Sequence, residues 1–167
     1  MMRYSATLLI LASLSLWAGA QSPKSRPRVD EQLKLFERNQ VMIEKLIDGS
    51  LQISRSRDAL SKSKAYEEIL KEMQQEIKLA AAGQETSRLK ELVTHLGTVL
   101  LQGLVPNLEN ARKSIAPGSQ DEKALYAVKN STGDVVNSVL KSIPENFEGK
   151  DARKKIQDAR DFVDAVK

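Results

Sequence analysis

The chain has 167 residues, with 26 lysines and arginines against 22 aspartates and glutamates, and no cysteine. That length suits one domain with a real hydrophobic core. The missing cysteine excludes a disulfide framework, a thiolate metal site, a cysteine nucleophile and a lipid-anchored bacterial lipoprotein. Charged residues at 29% and aromatics at 4% are the composition of helices, and a net charge of +4 permits attraction to anionic surfaces without demanding it.

The first 20 residues read as a cleavable secretory signal. Arg3 gives the positive start, residues 8–17 give an apolar core of about ten residues, and Ala18-Gly19-Ala20 gives the small-x-small cleavage pattern. The apolar core is well short of the roughly 20 residues that cross a bilayer. Residues 21–28 hold Pro23 and Pro27 among serines and cations, which predicts a flexible basic linker. The expected organisation is therefore a signal peptide over 1–20, a linker over 21–28 and a helical domain over 29–167. The mature chain is expected to carry no transmembrane segment and to be periplasmic or secreted.

From Val29 the spacing becomes helical. Val29, Leu33, Phe36, Gln40, Ile43 and Ile47 step by four and three along one face. Asp48-Gly49-Ser50 would end this helix, but Leu51 and Ile53 follow with no proline, which favours continuation. Residues 54–64 are rich in serine and cations and read as a helix end or a connection. Tyr66, Ile69, Leu70, Met73, Ile77 and Ala80 mark a second helix, with Gly83 as its C-terminal cap. The third begins near Thr86 and carries the widest apolar stripe, Leu89 through Leu104, which places it centrally. Leu92, Leu96, Val99 and Leu100 are expected to pack against the first, second and fourth helices. Pro106 interrupts the run, yet Leu108, Ala111 and Ile115 keep the spacing, so a kinked helix and two abutting helices both fit.

Ala116-Pro117-Gly118-Ser119 breaks the chain and should reverse it, so that the fourth helix runs antiparallel to the third. Ser119 with Glu122 three residues on is a capping box. Leu125, Val128, Thr132, Val135, Val139 and Ile143 form the fourth stripe, in which the β-branched valines leave a short strand as the lesser reading. Residues 144–149 form a loop. Ala152, Ile156, Ala159, Val163 and Val166 line the last helix. The fold predicted is all-α, an antiparallel bundle of four to five amphipathic helices.

The chemistry-bearing residues do not assemble into a known set. His95 is the sole histidine, four residues after Glu91 on the apolar face of the third helix, where a partly buried structural role is expected. A di-iron bundle needs Glu-x-x-His twice. There is no Gly-x-Ser-x-Gly elbow and no phosphate-cradling glycine loop. No cofactor, no metal and no enzyme activity are expected. The cations gather in two clusters, Arg55, Arg57, Lys62 and Lys64, then Lys150, Arg153, Lys154 and Lys155. Without interleaved aromatics they do not suit single-stranded nucleic acid. Contact with anionic lipid, lipopolysaccharide or an acidic protein is the functional reading, solvated helix ends the plain one. Asn130-Ser131-Thr132 matches a glycosylation sequon, inside a predicted helix.

Size, charge and helical composition are similar to those of periplasmic chaperones, in composition only, since the Leu-Thr-x-x-Gln motif of the Spy-like chaperones is absent. The function expected is that of a non-enzymatic extracytoplasmic interaction protein, binding a protein partner or the envelope surface. The alternatives are a periplasmic chaperone or carrier of an apolar ligand between helices and, behind it, an enzyme.

Overall fold

A computed structural model describes residues 29–165. The expected signal peptide, the linker and Val166 lie outside the described residues. Among the described residues six α-helices follow one another: α1 Val29–Arg55, α2 Ala59–Ala82, α3 Thr86–Thr98, α4 Val105–Ser114, α5 Gln120–Ser142 and α6 Lys150–Ala165, with a π-helical segment, Val99–Leu104, joining α3 to α4. No strand occurs among the described residues, so the valine-rich run at Val135 is helix. The chain divides into a unit of residues 1–37 and a unit of residues 38–167. The packing that follows belongs to the second.

Gly49 does not end the first helix, and the helix continues to Arg55 as its spacing favours. Its Cα faces α2 so closely that a Cβ would stand 2.6 Å from Ile69 Cγ1. Residues 56–58 make the connection, and α2 starts well before Tyr66. The start is set by Asp58, whose Oδ1 accepts from the Ser61 N–H at 2.7 Å and whose Oδ2 accepts from the Ser61 hydroxyl at 2.7 Å. The α2 cap at Gly83 is a Schellman turn: Glu85 N–H donates to Ala80 O and Gln84 N–H to Ala81 O. The left-handed residue is Gln84, at φ 55, rather than the glycine beside it.

Pro106 neither ends nor breaks the helical path. Without an N–H it would leave the Gln102 carbonyl unpaired in an α-helix. The backbone passes that point as a π turn instead. Asn107 Nδ2 donates to Gly103 O at 2.7 Å. Gly103 is buried under the Tyr66 ring, where a Cβ would collide.

The core joins α2, α3, the π segment, α4, α5 and α6 through fully buried Leu70, Ile77, Leu96, Leu100, Leu104, Leu108, Leu125 and Ile156. Each such side chain stabilises the fold by about 1.5–3 kcal/mol relative to exposure. α2 is the hub, touching α3, the π segment, α4 and α5, while α6 closes the far side against α3 and α5. Of the partners expected for the third helix, α2 is found and Arg88 of α3 reaches Asn39 of α1, but the main neighbour besides α2 is α6, while the helix expected fourth, α5, packs on α2 and α6 instead. Leu92, Leu96 and Leu100 are buried and Val99 is half-buried. The break at Pro117 separates α4 from α5 by five residues, and the two helices touch, with Arg112 Nη1 3.7 Å from Glu122 Oε1. Ser119 Oγ accepts from the Glu122 N–H at 3.1 Å, and the Glu122 carboxylate accepts from the Gly118 N–H at 2.6 Å.

Candidate functional site

The apolar side chains of α1 do not join the core. None of its described side chains is buried. Met42, Leu46 and Ile53 turn toward the bundle and are half-buried. On the other face Ile43 and Ile47 are each 54% exposed and Leu51 is 46% exposed. They line a shallow apolar groove with Leu46 and Ser50. In the part of α1 that precedes Arg38, Leu33 and Phe36 are exposed as well. The stripe predicted for this helix exists in the sequence and faces away from the core. The reason is geometric: Gly49 fits against Ile69 of α2 with Met42 and Leu46 packed on the core beside it, and the line through Ile43, Ile47 and Leu51 is turned roughly 130° around the helix from that face.

Polar groups hold α1 in place. Arg38 Nη1 donates to Glu85 Oε1 at 3.0 Å and Arg38 Nη2 to Glu76 Oε2 at 3.1 Å. Arg88 Nη2 donates to the same Glu76 oxygen at 2.6 Å, and Arg88 Nη1 to Asn39 Oδ1. Burial alone would depress the Arg38 guanidinium, but its bonds to Glu85 and Glu76 outweigh that and raise its pKa above the ordinary value. Lys45 adds an ion pair with Glu72 of α2. The bonds that tie α1 into this clamp join residues 27 to 49 positions apart in sequence, such as Arg38 and Glu85, and their spacing carries no signal of it.

The structure separates the predicted cationic clusters. Arg55 and Arg57 line an open depression of about 610 Å³ that also holds Asp48 and the capping Asp58. Lys64 lies in a different groove, of about 450 Å³ between α2 and α5, beside Glu67, Glu68 and Lys71. Lys71 pairs with Glu67 at 2.8 Å and Glu68 at 2.9 Å, and these bonds raise its pKa. Lys62 lines neither. Lys150 and Lys155 share a cleft of about 430 Å³ with Lys90, Thr94, Glu148 and Asp151, while Arg153 and Lys154 lie outside it. Each group is mixed in sign, as the charges of solvated helix ends are.

His95 corrects a second expectation. Its side chain is exposed, as is that of Glu91, and its Nε2 lies 3.8 Å from Glu91 Oε1. The apolar stripe of α3 passes it by one position. Among the described residues no His, Asp and Glu cluster could hold a metal ion, and no helix is long and apolar enough to cross a membrane. Thr132 of the sequon is fully buried within α5. No protein-family model matches the chain, and neither a curated protein nor a solved structure is significantly similar to it.

Proposed function

We propose that the protein is an exported, non-enzymatic interaction protein that docks a protein partner on the outer face of α1. The observation that supports this is the exposure of Ile43, Ile47 and Leu51 beside a bundle that buries the stripes of α2, α3, α5 and α6. Large apolar side chains aligned on one exposed helix face mark interaction surfaces, since water-facing positions elsewhere on such helices are polar. The bundle would act as the rigid platform and α1 as the contact element. Export rests on the signal-like first 20 residues. An intact mass beginning at Gln21 after expression of the whole sequence in an exporting host would agree with it. A mass beginning at Met1 would oppose it.

Site-specific photo-crosslinking in the native host tests the docking face. A photoreactive residue at Ile43 or Ile47 should give a discrete protein adduct, and one at the exposed Lys123 of α5 should not. No adduct from α1, or equal adducts from both helices, would sink the reading.

A further inference from the structure

Side-chain contacts lay α1 antiparallel on α2. Arg38 meets Glu76, Lys45 meets Glu72, and Gly49 lies against Ile69. The turn that joins the two helices therefore sits at one end of the pair and Arg38 at the other. At the helical rise, Arg38 stands roughly 26 Å along α1 from Arg55. Each helix closes itself at that turn. Ser56 N–H donates to Gln52 O at 3.0 Å, and Asp58 caps α2 through Ser61, so neither end relies on α1 lying where it does. Among the described residues no buried side chain of the core precedes Leu60, and α1 adds only half-buried Met42, Leu46 and Ile53 to its outside.

The far end is held by polar groups that are incompletely paired. Arg38 Nε, Arg88 Nε and Glu85 Oε2 are buried without a hydrogen bond. Arg88 Nε stands 3.6 Å from Glu85 Oε2, too far to donate. Buried polar atoms left unpaired favour a state that returns them to water. We propose that α1 is a strap, hinged at residues 56–58 and latched by Arg38, Asn39 and Arg88, that swings off a bundle which stays folded. Opening hydrates the unpaired atoms of the latch and bares Ile69 together with Met42, Leu46 and Ile53. With Ile43, Ile47 and Leu51 already outside, the open strap presents apolar side chains over about half its circumference. The motion is independent of what the outer face touches.

The full chain has no cysteine, so pairs of introduced cysteines take spin labels without competition. Double electron–electron resonance then reads the gap between the helices. Gln40→Cys with Lys78→Cys spans the latch end, and Ser54→Cys with Lys64→Cys spans the hinge end, all at exposed positions. Arg38→Ala with Arg88→Ala should raise the long-distance population at the latch end about three- to tenfold, and Arg38→Ala alone should raise it less. The hinge pair should hardly move, and α2 and α5 amides should keep their exchange protection. A latch distance unchanged in both variants would overturn the strap. Equal broadening at the two ends would mean that α1 melts instead of swinging, and would overturn it as well. Loss of α2 and α5 protection in Arg38→Ala would make α1 part of the core and end the proposal.

Discussion

Thr132 is fully buried in α5, and its Oγ1 has no hydrogen-bond partner. A buried hydroxyl left unpaired costs about 1–3 kcal/mol, so Thr132→Val, which keeps the shape, should raise stability by about 1 kcal/mol. A urea midpoint that falls would show that the hydroxyl is paired after all. Asp58 carries the opposite lesson. The Ser61 N–H and then the Ser61 hydroxyl hold its carboxyl below the usual carboxylate range. A pKa lowered by folding stabilises above the unfolded value and loses that contribution as pH falls through the folded one. Asp58→Ala should therefore cost about 0.5–2 kcal/mol near neutral pH, and the gap between variant and parent should close in strong acid. Urea unfolding across that range would show a constant gap if Asp58 were not a cap. The Ser119 cap was legible in the sequence because a clear Pro-Gly break precedes it. Asp58 was not, because it lies among serines and cations that dilute the apolar period.

At the scale of elements, α1 differs from the rest. It is long and amphipathic, yet it is held by the Arg38, Glu76, Glu85 and Arg88 clamp and by half-buried Met42, Leu46 and Ile53. Few buried apolar contacts mean a low cost of local opening. Hydrogen exchange should therefore show α1 amides less protected than those of α2, whose Leu70 and Ile77 are fully buried. Arg88→Ala should lower α1 protection further and leave α2 protection near the parent value, since it frees Asn39 and leaves Glu76 with Arg38 alone. Equal protection of α1 and α2 would mean that the two open together. The joint at Pro106 belongs to this scale as well. Hydrophobic spacing continued through it, so the run was legible, but the π turn and the packing of Gly103 under Tyr66 were not.

Across the whole molecule, charge is spread in mixed patches. Lys150 and Lys155 share their cleft with Glu148 and Asp151, and Arg55 and Arg57 share theirs with Asp48 and Asp58. Each lysine near an anionic surface is worth about 1 kcal/mol only when no carboxylate cancels it. The protein should therefore not sediment with vesicles of anionic lipid at physiological salt, and changing Lys150, Arg153, Lys154 and Lys155 to glutamine should make no difference. Sedimentation that the glutamine variant abolishes would restore an envelope-surface role. The all-α class, the apolar stripes of α2, α3, α5 and α6 and the break at Pro117 were determined by sequence alone, because each rests on local spacing, capping and turn chemistry. Which stripe enters the core was decided by tertiary structure. Periodicity records that a face is apolar, and it says nothing of whether a neighbour has room to cover it. α2 had one flank for α1, Gly49 and Leu46 took it, and Ile43, Ile47 and Leu51 were left to the surface.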